Sequence, residues 1–349
     1  MNQFDLNTLI RPNIRSLVPY SAARHEYTGS ASLFLDANES SVSPFSNLNR
    51  YPDPLQLLLK NRVCELKRVS MDQVFLGNGS DEAIDLLLRS FCEPGRDNIV
   101  VFPPTYGMYE VSAAVNNVEV RQVLLTNDFQ LNLEETGNVI DENTRLIFIC
   151  SPNNPTGNLI NPESITKLLR SFKGLVVVDE AYIDFAGILT WNQKLSQFPN
   201  LVVLQTFSKA WGLAGLRLGM AFASKEIVGV LNKVKPPYNI STAAQSLGLR
   251  AVESIQPASE YIRSIKIQRP RFIKQLQSMP FITEVFPSDA NFVLFRVSDA
   301  ASLYAYLLTK GIVVRNRSAL SLCENCLRVT VGTEPQNQRL IAALKSFNA

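Results

Sequence analysis

The chain has 349 residues, of which 46% are apolar and 19% charged, and a formal charge of +3. That length allows a substantial core and two domains, and the near-balanced, dispersed charge gives no expectation of a nucleic-acid partner. No window is apolar for long enough to span a bilayer, and the opening Met1-Asn-Gln-Phe-Asp-Leu-Asn7 lacks the basic and apolar regions of a secretion signal, so the expected compartment is the cytoplasm.

In chain order, residues 1–30 read as an irregular arm with Pro12, Pro19 and Gly29, and 31–45 as a segment joining a smaller domain, with Leu33-Phe-Leu-Asp36 a candidate strand. Apolar residues at Leu55, Leu58, Leu59, Val63 and Leu66 give a helical repeat. Val74-Phe-Leu76 reads as a strand running into Gly77-Asn-Gly-Ser-Asp-Glu82 and a helix carrying Ile84, Leu87, Leu88 and Phe91. Strands follow at 98–102, 119–125, 145–150, 176–178 and 201–206, with helices at 106–115 and 162–172, the latter headed by Pro162. Apolar rather than alternating strands interleaved with helices predict an α/β fold, a mainly parallel sheet covered on both faces, over 46–240. From about 241 the pattern changes to a long helical region interrupted by Pro257 and Pro270. Strand-like runs at 290–296, 311–315 and 326–331, with helices at 302–310 and 336–347, complete a smaller α+β domain over 241–349.

Five cysteines, at 64, 92, 150, 323 and 326, are odd in number and scattered. Cys323-x-x-Cys326 lacks the two further ligands of a closed zinc site and reads as two thiols in a loop of a reducing compartment. The sole histidine, His25, stands in a polar, turn-rich stretch and reads as a surface residue. No metal site is expected.

Three loops stand at carboxyl ends of predicted strands, the edge where ligands bind in open α/β sheets. Asp179 closes an apolar strand, where a carboxylate needs a partner; a protonated pyridine nitrogen is one, a helix cap or salt bridge another. Tyr182, three residues on, either donates to a ring oxygen or simply packs. Ser151-Pro-Asn-Asn-Pro-Thr-Gly157 is a proline-stiffened turn in which Asn154 is a second candidate donor and Gly157 suits a positive φ. In 77–82 the amides of Ser80 and Asp81 open a helix and face an anion. The Gly-Lys-Ser/Thr of a nucleotide P-loop is missing, and an N-cap is the plain alternative. In Thr206-Phe-Ser-Lys-Ala-Trp-Gly-Leu-Ala-Gly-Leu-Arg217, Lys209 is placed to condense with an aldehyde once neutral, while Thr206, Ser208 and Arg217 suit a phosphate. Gly212, Gly215 and Gly219 would let the backbone pass close to the bound group. Together these residues read as a site for pyridoxal 5'-phosphate.

Over nearly its whole length the chain resembles the aminotransferases of fold type I, and within them most closely the histidinol-phosphate aminotransferase family. The segments carrying this are Arg11-Pro-Asn-Ile-Arg15, Arg50-Tyr-Pro-Asp-Pro54, Gly77–Glu82, Pro103-Pro-Thr-Tyr-Gly-Met-Tyr109, Cys150–Gly157, Asp179-Glu-Ala-Tyr182, Thr206–Ala210, Leu213–Arg217 and Cys326-Leu-Arg-Val-Thr-Val-Gly332. The resemblance implies that Lys209 holds the cofactor and shuttles the proton, Asp179 holds the ring nitrogen, and Tyr182 and Asn154 bind the ring oxygen. It places Tyr106 on the ring face and Ser80, Asp81, Thr206, Ser208 and Arg217 around the phosphate. It also implies a homodimer in which Tyr51 reaches the neighbouring subunit's site. Arg328 is then the arginine for the α-carboxylate and Arg315 the one for the substrate phosphate, with Arg317 two residues away, and Tyr20 and Asn154 assist. The implied reaction interconverts L-histidinol phosphate plus 2-oxoglutarate with imidazole-acetol phosphate plus L-glutamate, a step of histidine biosynthesis. Alternatives are an aromatic amino acid aminotransferase, a threonine-phosphate decarboxylase and a non-catalytic regulator that retains the cofactor. Two departures from the family pattern are Trp211, where many relatives have phenylalanine or tyrosine, and Asn38-Glu-Ser-Ser41, where the family often shows Asn-Glu-Asn-Pro.

Overall fold

The inner strands of the larger sheet are apolar on both faces, which requires cover on both sides. In the computed structural model, which describes residues 4–21, 32–45 and 48–347, this sheet contains β1 (Val74–Asn78), β2 (Asn98–Val101), β3 (Glu119–Gln122), β4 (Thr144–Cys150), β5 (Leu175–Asp179), β6 (Leu201–Thr206) and β7 (Leu218–Phe222). Their spatial order is β1-β7-β6-β5-β4-β2-β3. Pairs from β3 to β6 are parallel, and β7 is antiparallel to both β6 and β1. Alternate side chains separate into two cores. Ile147, Ile149, Val176, Val178 and Val203 pack with the helices Leu57–Lys67 and Pro162–Ser171. Leu146, Phe148, Val177, Val202 and Leu204 pack with Ser80–Phe91, Met108–Val115 and Lys225–Val234. The period of two along each strand thus produces three layers.

Strand order reverses between β2 and β4, the kind of switch point at which open sheets bind ligands. Because β7 alone runs backwards, β1, β2, β4, β5 and β6 all end at the edge where β7 begins. A second, antiparallel sheet has the order β10-β11-β9-β8, built from β8 (Ile282–Val285), β9 (Phe292–Val297), β10 (Arg315–Asn316) and β11 (Cys326–Thr330). Its core joins Phe295, Leu327, Leu303 and Leu344 to Ile265 and Phe272 of the helix Gln256–Gln277. Tyr182 and Phe185, from the loop after β5, belong to this second core, so the two sheets meet beside the ligand edge.

Several sequence expectations are corrected. Residues 6–9 and 12–16 are short helices whose Leu9 and Ile14 are buried in the chain's own core, and Arg11 pairs with Glu93 at 3.1 Å. This part of the arm is therefore packed rather than irregular. Leu33–Asp36 forms no strand, and Leu33 and Leu35 are exposed. Helix Thr242–Glu253 lies on the large-sheet side, its Ala244 sharing a core with Leu59 and Val63, so the second core begins only after it. Pro257 sits in the first turn of Gln256–Gln277, and Pro270 lies inside that helix without ending it. The expected strand at 311–315 is reduced to Arg315–Asn316. Strand β7 and helix Lys225–Val234 had no sequence counterpart. Cys323 lies in a loop as expected, whereas Cys326 opens β11, and both thiols are fully buried. His25 lies outside the described residues.

Gly219 of β7 faces the loop after β1 rather than a bound group. A Cβ there would stand 2.1 Å from the Ser80 nitrogen and 2.2 Å from the Gly79 carbonyl carbon, whereas one on Gly215 would meet nothing within 4 Å. Gly219→Ala should therefore lower unfolding free energy by about 1–3 kcal/mol through overpacking, measured by urea titration, with Gly215→Ala close to neutral.

Candidate active site

The strand ends enclose a cavity of about 660 Å³, within the usual size of small-molecule sites. The sheet positions its walls. Ser80 and Asp81 follow β1, Tyr106 follows β2 and Asn154 follows β4. Asp179 closes β5, Thr206 closes β6, and Arg217 precedes β7. Ser208, Lys209 and Tyr182 complete the large-sheet side, while Arg315 and Arg328 enter from the second sheet. The loops on the two sides of the switch point are tied together by Asn153. Its amide donates to Pro104 O at 2.8 Å and accepts from the Thr105 hydroxyl at 3.0 Å.

Asp179 stands opposite Cys150 in β4 and is 2% exposed. Burial raises its carboxyl to about 6. The Tyr109 hydroxyl donates to Oδ2 at 2.7 Å and the Ala181 N–H to Oδ1 at 3.1 Å, and both favour the ionised form. Lys209 is turned the other way. Burial, then Arg328 and Arg217, lower its ammonium pKa, while Asp179 and Asp81 act in the opposite sense. Its Nζ lies 5.6 Å from the centre of the Tyr182 ring. An amine held toward its neutral form in a partly dry pocket is a competent nucleophile and base.

One end of the cavity is built for an anion. The helix Ser80–Phe91 starts at Gly79, which offers no side-chain cap, so its first amides face the pocket with the positive end of the helix dipole. Gly79 has φ +73, its N–H donates to Arg217 O at 2.9 Å, and a Cβ on it would lie 2.8 Å from the Arg217 guanidinium. Arg217, itself at φ +53, meets Asp81 at 3.2 Å, and Asp81 also accepts from the Tyr106 hydroxyl at 3.1 Å. Thr206 Oγ1 accepts from the Ser208 N–H at 3.0 Å. A flat ring with a phosphate at this end, a protonatable nitrogen at Asp179 and an aldehyde at Lys209 fits these donors.

The opposite wall is cationic. Arg315 and Arg328 are direct cross-strand partners between β10 and β11, an arrangement that like charges disfavour. Arg317 stands beside them. Burial, then Arg328 and Arg315, bring its pKa down to about 10, and its Nε is buried without a partner. No salt bridge engages any of the three among the described residues. Arg328 lies over the Phe292 ring, 5.1 Å from its centre, and donates to Asn154 Oδ1. The Asn154 NH₂ group is thereby left as the donor facing the cavity.

Two expected residues lie elsewhere in the same chain. Tyr20, 72% exposed, borders a separate groove with Pro54 and Lys235, and Tyr51, half exposed, stacks on Tyr238 at 4.5 Å. The variant stretch after the first segment reaches Tyr51, because Glu39 pairs with Arg50 at 2.6 Å and accepts the Tyr51 N–H at 2.7 Å. Trp211 packs on Phe207 at 5.3 Å, and its buried indole N–H has no partner. Sequence reasoning quoted Tyr109 within a motif but gave it no role. The signal was a tyrosine three residues after Tyr106 on one face of an apolar helix, where a buried hydroxyl needs an acceptor.

The family model for aminotransferase class I and II matches residues 27–344. The chain belongs to that family. It is 50% identical to the histidinol-phosphate aminotransferase of Cytophaga hutchinsonii over 349 residues, covering 99% of each chain. The crystal structure of the histidinol-phosphate aminotransferase from Clostridium acetobutylicum superposes with a TM-score of 0.79 at 28% identity, over 86% of this chain and 90% of that one. That of the Sinorhizobium meliloti histidinol-phosphate aminotransferase in complex with pyridoxal-5'-phosphate shares the fold, with a TM-score of 0.78 at 23% identity and 95% coverage of both.

The raised carboxyl of Asp179 makes stability depend on pH. Its folded pKa of about 6 exceeds the ordinary 3.8, so the folded state favours the protonated form. The cost of keeping it ionised is full above pH 6 and disappears as pH falls toward 4. Without cofactor, Asp179→Asn should be more stable than the parent at pH 8 by up to about 3 kcal/mol, the difference closing near pH 4. Urea unfolding at the two pH values measures this.

Proposed function

We propose that this chain is a pyridoxal-phosphate-dependent histidinol-phosphate aminotransferase, interconverting L-histidinol phosphate and 2-oxoglutarate with imidazole-acetol phosphate and L-glutamate. The observation that carries the reading is the pairing, across one cavity, of a buried Asp179 and Lys209 with three arginines, none of these cations in a salt bridge among the described residues. Full-length similarity to the Cytophaga enzyme supports the choice of substrate. Pyridoxal phosphate supplies an aldehyde for the substrate amine and a ring that delocalises the charge left when the α-proton departs.

The remaining chemistry belongs to the protein. Ser80, Asp81, Thr206, Ser208 and Arg217 hold the phosphate end, and Asp179 keeps a positive ring nitrogen paired. Tyr182 and the Asn154 amide donate to the ring oxygen, while Tyr106 covers a ring face. Lys209 would hold the aldehyde group and, as a free amine, its Nζ would take and return the proton of the substrate Cα, a one-base role suited to an amine whose pKa burial has lowered. Arg328 receives the glutamate α-carboxylate, and Arg315, with Arg317 beside it, receives the phosphate of the second substrate; Tyr20, which borders a separate groove of its own chain, would assist only from a neighbouring subunit. One cationic wall thus serves two unlike anions in turn.

We further propose a cytoplasmic homodimer in which Tyr51 completes the phosphate end of the partner's site. The exposed Tyr51, Leu58 and Val42 outside the chain's own cavity support this arrangement.

Mixing the loaded protein separately with histidinol phosphate, phenylalanine and threonine phosphate tests the assignment. Histidinol phosphate alone should be converted rapidly to its ketone. Comparable turnover of phenylalanine would make the protein a broad aromatic aminotransferase, and CO₂ release from threonine phosphate would make it a decarboxylase. Lys209→Ala should reduce turnover by about 10³-fold or more. Arg315→Ala should slow the half-reaction of histidinol phosphate more than that of glutamate in single-turnover kinetics.

A further inference from the structure

Tyr109 has no exposed surface. Its ring stacks on Phe148, with centres 4.8 Å apart and planes 16° from parallel, and meets Tyr106 edge-on at 5.5 Å and 84°. A phenylalanine would satisfy all of that packing, so the ring contacts do not account for the hydroxyl. The hydroxyl donates to Asp179 Oδ2 at 2.7 Å, with the buried Cys150 thiol as its other polar neighbour. The charged and titratable groups acting on Asp179 and its neighbours are Lys209, Asp81, Tyr106, Tyr182, Cys150 and Tyr109 itself, with Arg328, Arg317 and Arg217 acting on Tyr182 and Lys209. Asp81 opposes ionisation and Lys209 favours it from a distance. The direct donors to the carboxylate are the Ala181 N–H, which every residue type would supply, and the Tyr109 hydroxyl, which depends on the side chain.

We propose that Tyr109 is a positioning residue that keeps Asp179 ionised and aimed at the cofactor's ring nitrogen, and that it ties this carboxylate to Tyr106 in one packed unit. The inference rests on the reading of Asp179 as the partner of that nitrogen. Without the hydroxyl, a carboxyl already raised by burial rises further. At neutral pH a larger share is then the neutral acid, which cannot pair with a protonated ring. A hydrogen bond to a charged group contributes about tenfold to a hundredfold in an equilibrium constant.

The test is Tyr109→Phe, which retains the ring. Pyridoxal phosphate dissociation from the whole protein would be followed by equilibrium dialysis between pH 5.5 and 8.5. The ¹⁵N chemical shift of ring-labelled cofactor would be read in the same samples. The expected result is about ten- to a hundredfold weaker cofactor binding at pH 7, with affinity falling off at a higher pH than in the parent. The ring nitrogen should shift toward its unprotonated position. In the Tyr109→Phe/Asp179→Asn double variant the first change should add nothing to the second. If Tyr109→Phe fails to fold, 3-fluorotyrosine at position 109 provides the same shape with a stronger donor, and the fall-off should then move to lower pH. A parental pH profile and ¹⁵N shift in Tyr109→Phe, even with reduced thermal stability, would reduce Tyr109 to a packing residue and overturn the proposal. So would full additivity with Asp179→Asn, or an unmoved profile with fluorotyrosine. An unchanged ¹⁵N shift in Asp179→Asn alone would instead remove the cofactor reading on which the inference stands.

Discussion

A carboxylate at the end of a fully buried strand is the constraint around which this molecule is arranged. An unpaired charge in such a place costs several kcal/mol, and β5 brings Asp179 there because its neighbours β4 and β6 cover it on both sides. The cost is partly met within the chain by Tyr109 and the Ala181 N–H, and the carboxyl remains raised. A site left in this condition favours a cationic ligand group at that point. Lys209, with its ammonium disfavoured by the same burial, is the complementary half. Two ionisable groups are pushed in opposite directions by one dry cavity, which is how enzymes separate acid from base roles near neutral pH.

The second sheet applies the same logic with the sign reversed. Cross-strand register sets Arg315 against Arg328, and Arg317 adds a third guanidinium in partly desolvated surroundings. Such a cluster is unfavourable alone and favourable around a dianion. Its geometry is set by a small antiparallel sheet whose core includes Tyr182 and Phe185 from the loop after β5. The wall proposed to receive substrate is therefore packed directly against the wall that would hold cofactor, and Arg328 touches Asn154 across the join.

Much of this was legible in the sequence because strands buried on both faces announce themselves as apolar runs. The segments 98–102, 145–150, 176–178 and 201–206 were placed nearly to the residue, and the positions that follow the last three drew attention to Asn154, Asp179 and Lys209. What was hidden had physical reasons. Strand β7, Leu218-Gly-Met-Ala-Phe222, is short, contains a glycine and runs antiparallel, so nothing in its composition marks it as part of the same sheet. Pro270 was read as a helix break, yet a long helix with buried Ile265 and Phe272 on either side of it carries the proline through. The hydroxyl of Tyr109 finds its acceptor 70 residues away, a contact that no local pattern encodes. Tyr20 and Tyr51 were named from resemblance alone, and within one chain they stand apart from the cavity.

The reversed strand has a mechanical consequence. β1 is an edge strand attached to the sheet only through β7, and the proposed phosphate cradle is assembled from the end of β1 and the start of β7, 138 positions apart at Gly79 and Arg217. An anion seated there would act as a rivet through the seam between β1 and β7. Loading would then tighten the rim first, since a ligand that binds only the closed seam stabilises it in proportion to its occupancy. The ligand would then join two segments far apart in sequence that the sheet itself joins only by backbone hydrogen bonds.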